Sequence, residues 1–266
     1  MAKNFFDKDY IKYWKKRSGE KPVGIKVPGE RVERFFVKKL RISAEDNVLD
    51  LGCGHGRLYP VLSSFSGHIF GVDVSRDIIF EAKIFPYTEL FEGTAEKTSF
   101  PPLFFDKIVS WATYDVVEQE QALIEENRIL KKGGFLLITG KNKDYYSGDK
   151  EAFVAERNAK LKEFPNHFTD VYKLIENASS FGFSVEYAFR FSRRGDFANL
   201  HYEDILSSKK KKFYEFLLIL RKTGEPSGRA INICHEYSDQ SLFLSKKYGY
   251  KTPLEFFTWH KNKYHD

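Results

Sequence analysis

Sulfur is scarce in this chain: two cysteines and one methionine among 266 residues. Cys53 lies between two glycines and reads as a small residue in a turn rather than half of a disulfide, and Cys234 is far from it in sequence. No cysteine–histidine cluster has the spacing of a metal site, so no metal ligands are predicted. Long apolar runs are missing too. None reaches the length of about eighteen residues that a membrane-spanning helix needs. Residues 1–7 lack the charged-then-apolar order of a secretory signal. These absences predict a reduced, cytoplasmic location. Excess charge of one sign is small, a formal +6 spread thinly apart from Lys209-Lys210-Lys211-Lys212. Such a run is either a solvated flank of the apolar segment after it or a contact for RNA or another polyanion. The length suffices for one α/β domain with additions and a proper core.

What the chain does have is glycine at alternate positions after a short apolar run, in Val48-Leu49-Asp50-Leu51-Gly52-Cys53-Gly54-His55-Gly56-Arg57-Leu58. Glycine lets the chain turn sharply off a strand and lets a ligand approach bare backbone, and amides at a following helix start favour negative or polar groups. Tight turns also need glycine, so the loop alone decides little. The next segment, Gly71-Val72-Asp73-Val74-Ser75, reads as a second buried strand ending in an acid. Its distance from the loop, roughly twenty residues, is the spacing at which nucleoside-binding α/β folds set a carboxylate on the ribose hydroxyls. Together the two elements predict a nucleoside cofactor.

Around them the chain alternates. Strands are expected near 47–51, 68–73, 88–92, 105–110 and 134–140, with helices near 56–65, 75–85 and 118–131, a pattern of a parallel sheet covered on both faces. Phe135-Leu136-Leu137-Ile138 has the continuous apolar character of a strand buried on both sides. An aromatic helix is predicted over 4–17, with Phe6, Tyr10, Tyr13, Trp14 and Arg17 on one face, and a second over 30–40 with Val32, Phe35, Phe36 and Leu40 inward. A polar stretch, 141–148, leaves the sheet. A helix over 167–180, stopped by Gly182, then precedes strands at 183–191 and 213–220. The 192–212 stretch between them is longer than a hairpin needs. Residues 223–228 read as a linker, and 229–266 as an extra aromatic tail. The expected division is a helical cap over 1–40, a central domain over 41–222 with the 192–212 insertion, and an extension over 223–266.

The loop is G-x-G-x-G with Asp50 two residues upstream, rather than the dinucleotide fingerprint G-x-G-x-x-G. It resembles motif I of the class I S-adenosylmethionine-dependent methyltransferases, of the methyltransferase type 11/25 kind. The resemblance covers roughly residues 30 to 222. Gly93-Thr94-Ala95-Glu96-Lys97-Thr98-Ser99-Phe100 is similar to the family's adenine-binding stretch, Phe105-Asp106-Lys107-Ile108-Val109-Ser110 to its fourth strand, and Asn127-Arg128-Ile129-Leu130-Lys131-Lys132-Gly133-Gly134-Phe135 to the helix-to-fifth-strand turn. It implies an α/β fold with a seven-stranded, mostly parallel Rossmann-like sheet, helices on both faces and the last strand antiparallel. It also implies S-adenosyl-L-methionine as cofactor. Gly52, Cys53, Gly54 and Gly56 would lie against it, Asp50 would hold the loop backbone or meet the methionine ammonium, and Asp73 would bridge the ribose diol. Val74 and Ala95 would flank the adenine, and Ser110 and Trp111 would stand at the carboxyl end of the fourth strand. Thr94 replaces the family's usual aspartate toward the adenine amino group, so Glu96 or a backbone carbonyl is the expected substitute.

Methyl transfer from a sulfonium needs orientation, water exclusion and, for poorly acidic acceptors, a base. Three residues are candidates for that base: His167 before the helix leading to the sixth strand, and Tyr114 and Asp115 just after the fourth. Asp115 stands near a position where relatives carry a histidine. Arg193-Arg194-Gly195-Asp196-Phe197-Ala198-Asn199-Leu200-His201-Tyr202 is either a solvated loop or an acceptor clamp, in which arginine grips a carboxylate or phosphate. The expected function is methylation of an oxygen or nitrogen of a small-molecule acceptor. The alternatives are an RNA methyltransferase and a non-catalytic cofactor-binding protein. Ser110-Trp111-Ala112-Thr113 stands where an "N-P-P-Y" motif would mark methylation of planar amides or nucleobase amines, so nucleic acid is not the expected partner.

Overall fold

The structure, a computed structural model, describes residues 29–164 and 166–264. The aromatic helix expected over 4–17, with Tyr10, Tyr13 and Trp14, lies outside the described residues. From Gly29 the chain runs through α1 (Gly29–Val37), a 3₁₀ turn (Lys38–Leu40), β1 (Asn47–Leu51), the one-turn α2 (Tyr59–Leu62), β2 (His68–Asp73), α3 (Arg76–Ala82), β3 (Glu89–Glu92) and β4 (Phe105–Ser110). It continues through α4 (Gln119–Ile129), β5 (Leu130–Lys141), α5 (Lys150–Leu161), β6 (Phe168–Thr169), α6 (Val171–Glu176), β7 (Phe183–Phe191), β8 (Glu203–Asp204) and β9 (Glu215–Lys222). The last elements are β10 (Cys234–His235), α7 (Asp239–Lys247) and α8 (Pro253–Tyr264).

Eight strands form the main sheet in the order β3-β2-β1-β4-β5-β9-β7-β8. The pairs from β3 across to β5 are parallel, and β9 is antiparallel to both β5 and β7. This is the expected seven-stranded α/β arrangement with one addition: β8, two residues of the 192–212 stretch, extends the edge beside Phe189 and Arg190. Apolar strand residues alternate between two cores. Leu49, Ile108, Leu136 and Leu218 face α4 and α6, while Val48, Val109, Leu137 and Leu217 face α1 and α2. Continuous burial on both sides is why these strands lack polar alternation. In α1, Val32, Phe36 and Leu40 are buried as expected, but Phe35 is exposed and lies 5.8 Å from the Tyr202 ring.

Several expected elements differ. The helix after the glycine loop is one turn long, because residues 52, 54 and 56 hold positive φ and the helix starts only beyond them. The helix expected over 167–180 is broken into β6, α6 and a 3₁₀ turn. The 223–228 stretch is fastened, not loose: the Thr223 and Gly224 amides bond the Gly182 carbonyl, and the Ser227 amide bonds that of Ser180. Beyond it, Ile231 and Ile233 are buried in the main core, and their amides bond the Glu120 carboxylate at 3.0 and 2.8 Å.

The carboxyl ends of β1, β2, β4, β5 and β7 share one edge of the sheet, and β9 starts there. Among the described residues, the 192–212 insertion and the tail from β10 onward join the fold at that edge. The 192–212 insertion leaves from Phe191 and returns to Glu215. Arg190, fully buried, anchors it through an ion pair with Glu203 and a bond of 2.9 Å to the Lys209 carbonyl. The tail joins through β10, antiparallel to β6, and seats α7 and α8 on α5. There Glu156 accepts bonds from Tyr145, the Ser238 hydroxyl and the Ser238 amide, and Phe153 meets Phe256, Phe257 and His260.

Candidate functional site

β1 delivers Asp50 to the carboxyl edge, and the chain turns at Gly52. The Gly52 and Cys53 amides donate to the Val72 carbonyl at 2.8 and 2.9 Å, tying the loop to β2. The three glycines are needed for different reasons. A Cβ on Gly52 would fall 2.2 Å from Thr113 Oγ1, and one on Gly56 2.5 Å from the Phe85 ring, so neighbouring protein atoms demand those two. Among the described residues, a Cβ on Gly54 would meet nothing within 4 Å. Of the three, Gly54 alone presents bare backbone to open space, where a ligand can lie against it.

Asp73 ends β2 beneath that opening. One carboxylate oxygen accepts from the Gly54 amide (3.1 Å) and the other from the Ser75 amide (3.0 Å). Burial raises its pKa, opposed by those two amides. Asp50 is also buried, and burial pushes its pKa up to about 7 despite a bond from the Tyr87 hydroxyl at 2.8 Å. Among the described residues no loop amide bonds Asp50, so the structure does not use it to hold the loop backbone. Cys53 is a buried thiol, kept neutral by burial and by the nearby Asp50 and Asp73, which suits the small structural role expected of it.

Beside Asp73, Val74 is half-buried and Ala95 lies in the core. Glu96 is committed elsewhere, since its carboxylate accepts from the Glu118 amide at 2.8 Å. Two hydroxyls at this edge, Thr94 Oγ1 and Ser110 Oγ, are buried without a hydrogen-bond partner in the structure. Orphaned buried hydroxyls are uncommon, because each costs roughly 1–3 kcal/mol if left unmatched. Trp111, next to Ser110, is buried with its ring 5.3 Å from Phe197 of the insertion.

The candidates for the base fall in different surroundings. Tyr114 is wholly buried, its hydroxyl bonded to the Gln119 carbonyl, and it serves as core rather than facing a cleft. Asp115 is ion-paired with Lys141, which also donates to Asn166 Oδ1 at 2.7 Å. The His167 amide bonds the Asp115 carbonyl at 2.7 Å, and its Nδ1 lies 3.1 Å from Cys234 Sγ. Burial, with the Lys160 charge nearby, lowers the His167 pKa to about 4, so the imidazole is neutral and weakly basic at pH 7. Burial meanwhile pushes the Cys234 thiol up to about 12, so the two do not form a charged nucleophilic pair. Sequence reasoning missed Lys141 and Glu215, which face each other across the first rung of the β5–β9 ladder at the same edge. Their signal was only positional: each stands at the carboxyl-edge end of an apolar strand. Of the 193–202 cluster, the Arg194 amide bonds Asp149 at 2.8 Å and its guanidinium reaches the Tyr214 hydroxyl. No group of acids, histidines and cysteines able to hold a metal occurs among the described residues.

Residues 49–138, from β1 to the middle of β5, match the methyltransferase domain family. That stretch is a methyltransferase domain, and the likeness is consistent with the class I S-adenosylmethionine-dependent methyltransferases. It is 31% identical over 141 residues to the uncharacterized methyltransferase YcgJ of Bacillus subtilis, covering 50% of this chain and 51% of that protein. It is 30% identical over 115 residues to the ubiquinone/menaquinone biosynthesis C-methyltransferase UbiE of Coxiella burnetii, covering 39% and 46%. The chain thus spans about half the length of the curated relatives it matches. The YcgJ crystal structure superimposes with a TM-score of 0.54 at 18% identity, covering 73% of this chain and 99% of that one, a likeness of fold. The family's methyl donor is S-adenosylmethionine, and the residues at the edge fit it: an open face at Gly54, a carboxylate beneath it, and two hydroxyls awaiting partners.

Proposed function

We propose that this protein binds S-adenosylmethionine across Gly54 and Asp73 and directs its methyl group to an oxygen or nitrogen of a small-molecule acceptor. The observation that carries the reading is the pairing of Asp73 with the Gly54 amide directly under a face of the loop that no described residue fills. Asp73 accepts from the ribose hydroxyls, Val74 and Ala95 flank the adenine, and Thr94 and Ser110 supply hydroxyls to the polar atoms. Asp50 receives the amino acid part of the cofactor, with Gly52, Cys53 and Gly56 shaping the loop around it. Bound there, the cofactor supplies an activated methyl group. The protein's work is to align the acceptor and exclude water. The central 41–222 region carries the donor site, and the insertion and the extension after residue 223 close its acceptor side.

Two observations support a small acceptor over RNA. The 192–212 insertion and the tail crowd the carboxyl edge, and three of the four lysines of the run meet acids, Lys211 sharing Glu203 with Arg190. Lys210 pairs with Glu176 at 2.6 Å, Lys211 with Glu203 at 3.0 Å and Lys212 with Asp144 at 2.7 Å. The carbon acceptor in the UbiE name belongs to a protein matched over less than half its length, and does not set the acceptor atom here. No described helix is long and apolar enough to cross a membrane.

Calorimetry tests the reading. At pH 6.5 much of Asp50, with its pKa near 7, holds a proton. A cationic ligand beside it favours the carboxylate, so binding expels that proton and affinity rises with pH through 7. Titration with S-adenosylmethionine in buffers of different ionisation enthalpy should show one site and net proton release at pH 6.5, fading by pH 8.5. Absence of binding defeats the proposal, and binding without proton release removes Asp50 from it.

A further inference from the structure

Glu215 opens β9 at the carboxyl edge, paired in the ladder with Lys141 on one side and Phe191 on the other. Its side chain is half-buried, and its carboxylate forms no hydrogen bond or ion pair among the described residues. Among the described residues the charged groups that act on it are Lys141 of β5, Arg194 of the insertion, Asp115 of the loop after β4 and Asp149 at the start of α5. These two cations and two carboxylates offset one another. Lys141 is already held by Asp115 and Asn166, and Arg194 reaches Tyr214. The ionised Glu215 is therefore the one unbalanced charge of the cluster, and it is negative. An unbalanced buried carboxylate calls for a cation.

Rings lead from this carboxylate toward the donor loop. Phe191, opposite Glu215, lies 4.4 Å from Phe197, and Phe197 lies 5.3 Å from Trp111, the residue after Ser110. Phe191 and Trp111 are themselves buried, so these rings form an apolar wall between the carboxylate and the loop. A carboxylate or phosphate acceptor would meet Glu215 with repulsion, which counts against the acceptor-clamp alternative for the 193–202 cluster.

Building on the methyl-transfer reading, we infer that the acceptor is an alkyl or arylalkyl amine, and that Glu215 binds its ammonium group and takes its proton. The ammonium N–H bond breaks and the proton moves to the Glu215 carboxylate. The freed nitrogen pair forms the N–C bond as the C–S bond breaks, and sulfur keeps the electron pair. The products are the methylated ammonium, neutral S-adenosylhomocysteine and protonated Glu215, which returns its proton to water. Charge is conserved throughout. Burial pushes the Glu215 pKa up to about 7, where a carboxyl exchanges protons readily at neutral pH.

The test uses the full chain saturated with S-adenosylhomocysteine, titrated calorimetrically with benzylammonium and n-butylammonium, and with benzyl alcohol as the neutral match. At pH 8 the wild type should bind at least one ammonium probe about ten-fold or more tighter than the alcohol. The E215Q variant should lose that preference. The wild type should bind the ammonium about thirty-fold more weakly at pH 5.5 than at pH 8, as the carboxyl takes up its proton. Equal affinity for ammonium and alcohol in the wild type, or an unchanged preference in E215Q, overturns the inference. If E215Q does not fold, the probe comparison and pH series on the wild type decide. Failure of S-adenosylhomocysteine itself to bind would instead defeat the methyltransferase reading, and this inference with it.

Discussion

Gly54→Val should abolish binding of S-adenosylmethionine while leaving the fold in place. The φ of +53° at this position costs an L-residue about 1–2 kcal/mol, which a domain with two extensive cores tolerates. Among the described residues no atom lies within 4 Å of the added Cβ, so the Cβ itself meets no described part of the chain. It occupies the face against which the cofactor lies. The expected result is a loss of calorimetric affinity beyond about 100-fold with far-UV circular dichroism close to wild type. Normal binding by the variant would reduce the loop to a tight turn. Gly52 could not serve in this experiment, because its Cβ would strike Thr113 and the loop itself would move.

Asp73→Ala should weaken binding by about 1.5–3 kcal/mol, or about 10- to 150-fold, the range for a hydrogen bond to a charged group. The upper end is expected here. The same carboxylate also orients the Gly54 and Ser75 amides, so its loss removes both the ribose contact and the support of the loop. Equilibrium titration of the purified variant measures the effect, and unchanged affinity would remove Asp73 from the site.

The donor side was legible because its signals are local. A strand ending in Asp50, glycines at alternate positions and a second strand ending in Asp73 are read residue by residue, and those strands fall at 47–51 and 68–73 as expected. The loop's detail was not legible. Which glycine faces the ligand depends on Thr113 and Phe85, far away in sequence, filling the space at the other two. The helices α5 and α7 were hidden for another reason. α5 buries Ala152, Glu156, Arg157 and Lys160, so the face that packs is polar and shows no apolar stripe at helical spacing. α7 is inverted in the same sense, with Ser241 and Ser245 inside and Leu242 and Phe243 outside. Both helices still carry a capping signal, from Asp149 and Ser238. The acceptor side emerges only when β5, β9, the insertion and the tail meet, which is why Glu215 and Lys141 gave no warning in the sequence.

The central claim is that the carboxyl edge of this sheet holds S-adenosylmethionine between the glycine loop and Asp73. Its most direct test is the crystal structure of the complex with S-adenosylhomocysteine. The ribose hydroxyls should lie within hydrogen-bond distance of the Asp73 carboxylate, the ligand should cover the open face of Gly54, and the sulfur should point toward Trp111 and the acceptor side. A ligand bound away from Gly54 and Asp73, or a loop still bare at saturating ligand, would contradict it.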